Sequence, residues 1–166
     1  VMIFSRYRCL LSLLDTLGGK ANNLDFQKLL FLFCMEAERT PSYEFIPYRF
    51  GAFSFTSYAD KRRLMEQGFL ESTDKTWILT SSGKSVVRQT PLLREYVDRY
   101  IRKLDGIRGD VLIAEAYRRY PYYAIRSEIA DRVLSTDPIA LRAVQAARPQ
   151  PSGCGLCTIG YEGQTL

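Results

Sequence analysis

No histidine occurs anywhere in the 166 residues. Its absence excludes Ser-His-Asp and Cys-His nucleophilic chemistry, His-ligated metals and acid–base work by imidazole. Long apolar runs are missing too, and nothing approaches the ~20 residues of a membrane-spanning helix. The apolar start "VMIFSRYRCLLSLL" is interrupted by Arg6 and Arg8, and Asp15 follows it directly. It leads into no small-residue cleavage site of the secretory kind. A cytoplasmic protein without membrane contact is the expectation. A glycine-rich phosphate loop is also lacking, because "LGGK" and "GYEG" do not have the required spacing.

Cysteine is scarce. Cys9 and Cys34 fall within apolar helical patterns, where a free thiol behaves as a small hydrophobe. Cys154 and Cys157 form a C-x-x-C pair, a spacing that serves zinc or redox chemistry elsewhere. Zinc would need two more ligands, and with no histidine these would have to be Cys9 and Cys34, each in a different helix. A redox pair would need a preceding βαβ unit. Two incidental linker thiols are the simpler expectation, with no metal and no cofactor. Carboxylates such as Glu36, Glu38 and Glu44 show no paired arrangement, so no catalytic residue is assigned.

What is present is mostly helical pattern. Tyr7, Leu10, Leu11, Leu14 and Leu17 recur at helical spacing until Gly18-Gly19 stops them. After Asn22-Asn23, "LDFQKLLFLFCMEAE" is apolar nearly all round, the mark of a buried central helix ended by Thr40-Pro41. Leu30 and Phe33 should lie in the core. Tyr43 to Phe50 reads as extended and irregular, with Pro47 inside it and Gly51 as a turn. Ser54 or Thr56 can cap a third helix that runs to Gln67 and is closed by Gly68. Phe69–Ser72 and Thr76–Thr80 read as the arms of a β-hairpin turning at Thr73-Asp74-Lys75. "SSGKSVVRQ" gives a short helix.

Helix, helix, connector, helix, hairpin is the order of a winged helix, placed here at residues 1–90. The second half, 91–147, is a helical subdomain. It has an amphipathic helix from Pro91, another capped by Asp110 and ended by Pro121, one over "YYAIRSEIADRVL", and a last one opened by Asp137-Pro138. Residues 148–157 are rich in Pro, Gly and Ser and read as a linker. Residues 158–166 read as a single closing strand. A lone strand satisfies neither its backbone groups nor its two faces, so this one is expected to open a second, truncated domain. The fold class is therefore mainly α (α+β), a winged helix with a two-stranded wing and a helical C-terminal subdomain.

Two stretches carry a family resemblance. "QKLLFLFCMEAE" followed by "YEFIPYRFGAFSF" resembles the signature of bacterial winged-helix proteins that include the Panacea (SocA-like) antitoxin group. Lys28-Leu29-Leu30 and Tyr48-Arg49-Phe50-Gly51 carry that match over about residues 1–90, and Ala52 stands where the group often has Pro. "CTIGYEGQTL" resembles the first strand and turn of the bacterial family called domain of unknown function four-eight-eight. Only that strand is present, so no chemistry of that family transfers to a residue here.

The formal charge of +5 permits a polyanionic partner. The candidate recognition helix is "SFTSYADKRRLMEQG". Ser54, Thr56 and Ser57 would supply hydroxyls at its N-terminus, with Arg49 beside them, and Lys61, Arg62 and Arg63 would supply cations. The wing would add Lys75, with Lys84 following. These nine residues are the expected nucleic-acid contacts, with double-stranded DNA as the expected partner. Against this, Asp60 and Glu66 can neutralise part of the triplet, leaving a solvated helix face. A protein-interaction or homodimerisation module is then the alternative, with any enzymatic activity in a missing C-terminal domain. The aromatic clusters at 45–55 and 117–123 are expected to pack the two halves together. A base-stacking platform for single strands is the other use for them.

Overall fold

The stripe of Tyr7, Leu10, Leu11 and Leu14 becomes α1 (Ser5–Thr16), its apolar face fully buried. In the computed structural model, which describes residues 3–150, Leu17 and Gly18 close this helix. A short strand β1 (Lys20–Asn22) follows at once. Asn22 then caps α2 (Asn23–Glu36), its side chain accepting from the Asp25 amide at 2.8 Å. Phe26 and Leu29 through Cys34 are all completely buried, so α2 is the central helix. Replacing Leu30 by Ala should cost about 2–5 kcal/mol in a denaturant melt, through lost transfer energy and the cavity left behind.

The segment after α2 is more regular than its sequence suggests. β2 (Ile46–Tyr48) and β3 (Gly51–Phe53) form a tight hairpin, with Pro47 opposite Ala52. Gly51 has φ of +88°, and a Cβ there would collide with the Tyr117 ring, so only glycine suits the turn. α3 (Phe55–Glu66) is capped by Ser54 rather than Thr56, and Gly68 lies past its end. β4 (Leu70–Thr73) and β5 (Thr76–Leu79) make the expected second hairpin. β1 pairs with β5, Lys20 to Asn22 against Ile78 to Thr76, so the sheet is antiparallel with order β1-β5-β4.

α4 (Ser81–Arg88) and α5 (Pro91–Arg102) follow, and α5 lies along α1. α6 (Gly109–Arg119) packs on α2. The helix expected over residues 122–134 is not continuous. A 3₁₀ turn (Pro121–Ala124) is followed by irregular chain and one turn of helix, α7 (Ala130–Val133). Tyr117 Oη sits 2.7 Å from the Ser127 hydroxyl, which also accepts from the Ile129 amide at 3.2 Å. Those local bonds replace a helical ladder. α8 (Pro138–Ala146) is capped by the Asp137 carboxylate as expected.

The described chain is mainly helical with a small antiparallel sheet. One continuous apolar cluster runs from Tyr7 to Val144, across the boundary expected near residue 90. Part of it is aromatic: Phe31 makes edge-on contacts with Phe45, Tyr120 and Tyr123, joining the two halves. Among the described residues no helix is long and apolar enough to cross a membrane. Cys9 and Cys34 are buried free thiols. The closing strand at 158–166, the Cys154/Cys157 pair and most of the expected linker lie outside the described residues.

Candidate nucleic-acid interface and an adjoining cavity

α3 has few buried positions because it lies on the surface. Ser57, Asp60, Lys61 and Leu64 turn inward, while Phe55, Thr56, Arg62, Arg63 and Met65 face out. Its inner side is fixed to α1 and to Tyr43 by a buried carboxylate. Asp60, only 1% exposed along its side chain, accepts from Arg6 Nε at 2.5 Å and Nη2 at 3.1 Å, and from the Tyr43 hydroxyl at 3.0 Å. Burial first, and then the Asp60 carboxylate, push the Tyr43 phenol well above its ordinary value, so it remains a donor.

The nine expected contact residues separate into two groups. Ser54 and Ser57 are fully buried. The Ser54 Oγ accepts from the Ser57 amide, the Ser57 Oγ donates to the Ser54 carbonyl at 2.8 Å, and Gln27 Nε2 donates to Ser57 at 2.7 Å. These hydroxyls close the helix start from within and are not presented to a ligand. Lys61 is buried as well. Its Nζ donates to Asn23 Oδ1 at 3.3 Å and lies 4.6 Å from the Trp77 ring centre. Burial lowers its pKa. Arg49 stands at the tip of the β2–β3 hairpin, exposed but engaged. Its guanidinium donates to both Glu128 oxygens, at 2.7 and 3.3 Å, and its carbonyl accepts from the Glu128 amide. Arg49 therefore joins the hairpin to the second half of the chain.

Thr56, Arg62, Arg63, Lys75 and Lys84 are exposed. Arg62 has no ion pair among the described residues, whereas Arg63 lies 3.9 Å from Asp60 and beside Tyr7. Lys75 tops the β4–β5 turn, which Asn23 holds in place. The Asn23 amide donates to the Lys75 carbonyl and its side chain to the Asp74 carbonyl, both at 2.9 Å. A cleft of about 470 Å³ separates that hairpin from α3, with Arg62 and Met65 on one wall and Thr73 and Asp74 on the other. Lys84 is not part of it; it lines a separate depression with Asp15 and Arg94.

Phe55 and Tyr58, which line the cleft, continue with Phe53 and Tyr48 in a chain of ring contacts 4.8–5.5 Å between centres. Behind them lies a second cavity, about 350 Å³, between α2, the start of α3 and the β2–β3 hairpin. Its wall includes Lys28, a residue that sequence reasoning used only as part of a resemblance. Lys28 is 1% exposed, its Nζ donates to the Ala52 carbonyl at 3.1 Å, and burial lowers its pKa to about 7. One signal was available: Lys28 stands inside a helix that is apolar nearly all round, which leaves a lysine in its middle little access to water. Among the described residues, no group of three or more Cys, Asp or Glu is placed to hold a metal ion. No family model, no curated protein and no solved structure matches the chain.

Proposed function

We propose that residues 1–90 form a winged helix that binds double-stranded DNA, as the nucleic-acid-binding or regulatory module of a cytoplasmic bacterial protein. One observation carries this reading. α3 follows α2 and lies on the surface, outward face exposed, beside a β4–β5 hairpin whose tip carries Lys75, and β1 completes the sheet in the order β1-β5-β4. A surface helix next to a projecting hairpin suits a duplex, the helix entering the major groove and the hairpin following the backbone. Arg62, Arg63 and Lys75 are the cations in position for phosphate, and Thr56 is the hydroxyl nearest the helix start that remains exposed. Ser54, Ser57 and Lys61 drop out of the contact set because they are spent inside the fold, and Arg49 because it is paired with Glu128.

A second reading is supported by a different observation. Ile46, Tyr48, Phe50 and Phe55 are each 38–57% exposed, close together on the hairpin and the start of α3. Exposed apolar groups in one place suit a protein partner or a second copy of the chain. A mobility-shift titration separates the two. Duplex DNA should shift at micromolar protein and about 50 mM salt, where even sequence-independent binders are visible. Arg62→Ala with Arg63→Ala should weaken all duplex sequences alike, since backbone contacts carry no base information. If duplex, single-stranded DNA and RNA all fail to shift, the module binds protein.

A further inference from the structure

We propose that the cavity between α2, the start of α3 and the β2–β3 hairpin binds a small aromatic carboxylate, with Lys28 as its charge partner. The cavity, about 350 Å³, falls at the small end of the roughly 300–1,000 Å³ that small-molecule sites occupy. Leu24, Ala52, Phe53, Tyr48 and Tyr58 give it a mainly apolar, aromatic wall. Asn23, Gln27, Lys28 and Arg49 are its polar and charged lining, and of these Lys28 carries a buried charge with no opposite charge beside it among the described residues. An ammonium can donate three hydrogen bonds, and among the described residues the Lys28 nitrogen makes a single one, to the Ala52 carbonyl at 3.1 Å. A buried charge without an opposite charge is costly, and a lysine kept in such a place needs an anion or must lose its proton.

The chemistry of the occupant follows from what the wall offers. The neighbouring cation, Arg49, is already paired with Glu128. The amides of Gln27 and Asn23 each spend one N–H, on Ser57 and on the β4–β5 turn, and Gln27 Oε1 accepts from the Ser54 amide; being neutral, they add hydrogen bonds but no charge. One ammonium remains, which suits one carboxylate and falls short of a phosphate dianion. The aromatic wall suits a flat apolar body behind that carboxylate. Arg49, Tyr48 and Tyr58 are the other titratable groups on this wall, and desolvation is the influence that acts on Lys28. Burial raises the Tyr58 phenol, so it stays neutral through the neutral range. A bound carboxylate favours the charged lysine and raises its pKa. Above pH 7, binding therefore takes up a proton, and affinity falls as pH rises.

The test does not depend on the nucleic-acid reading and is made without DNA. Titration calorimetry of the whole chain with benzoate, 2-naphthoate, benzamide and inorganic phosphate, in two buffers of different ionisation enthalpy at about pH 8, reads affinity and proton uptake together. The carboxylates should bind about tenfold or more tightly than benzamide, with uptake close to one proton per site. Lys28→Met should remove the preference for carboxylate over amide. Equal affinity for benzoate and benzamide, no proton uptake, tighter binding of phosphate, or no binding of any probe at millimolar concentration would each overturn the proposal. The pH dependence in the native chain needs no variant, so a failure of Lys28→Met to fold would not protect the claim.

Discussion

Lys28→Met should make the protein more stable at pH 7, by up to about 4 kcal/mol, and this advantage should shrink as the pH rises towards 10. Burial moves the Lys28 pKa from 10.5 to about 7, which corresponds to a cost of up to about 5 kcal/mol when the group is charged in both states. The sign follows from proton counting. Between pH 7 and 10.5 the unfolded chain holds a proton on this lysine that the folded chain has largely lost, so native stability rises with pH across that window. Below pH 7 both states are protonated and the cost is constant. Cys9 and Cys34 act in the opposite direction, because burial raises their thiol pKa values and favours the unfolded state in alkali. The informative quantity is therefore the difference between native chain and variant in urea melts at about pH 6, 7.5 and 9. Methionine matches the lysine stem in length and brings no charge. A difference that does not change with pH would mean that Lys28 is solvated in solution.

Arg6→Met should act the other way and cost about 2–3 kcal/mol, less than for a fully buried pair because the Arg6 side chain is partly exposed. Arg6 supplies two of the hydrogen bonds to the buried Asp60. Without it that carboxylate keeps the Tyr43 hydroxyl and a distant Arg63 at 3.9 Å. A buried carboxylate stripped of its main charge partner is more harmful than the loss of the whole pair. The double variant Arg6→Met with Asp60→Leu should accordingly recover more than half of the loss, and urea melts of the three variants measure this. The pair also matters for geometry, because it holds α3 against α1. In the proposed complex, it would set the angle at which Arg62 and Thr56 meet a duplex. Arg6→Met should therefore weaken DNA binding even where the chain remains folded.

The helices that obey one period were legible. α1, α2, α5 and α8 appear where apolar spacing and caps place them, because local signals and tertiary packing agree there. The β4–β5 hairpin was legible for the same reason, its turn residues lying between two short apolar arms. β1 was not. Lys20, Ala21 and Asn22 have no strand character of their own and form a strand only because β5 lies beside them. The β2–β3 hairpin was hidden by Pro47, which is accommodated opposite Ala52 in a two-stranded ribbon whose outer edge is open.

The site was harder to read, for one physical reason. Sequence shows that Lys61, Arg62 and Arg63 are adjacent and that a helix must turn some of them outward, but not which one turns in. In the fold Lys61 is taken up by Asn23 and Trp77. Ser54 and Ser57 were read as ligand-facing hydroxyls, yet a capping side chain points back at its own helix. The partner of Arg49 lies 79 residues away, and no local pattern announces it.

If Arg62 and Arg63 on α3 and Lys75 at the hairpin tip hold duplex DNA as proposed, binding must weaken with salt. Each cation that touches phosphate contributes about 0.9 to the slope of log affinity against log salt. Arg62→Ala and Lys75→Ala should each lower that slope by about this amount. Lys61→Met, one residue from Arg62 in sequence but buried, should leave it unchanged. A native slope near zero, or a loss with Lys61→Met equal to that with Arg62→Ala, would mean that the exposed cations do not hold phosphate.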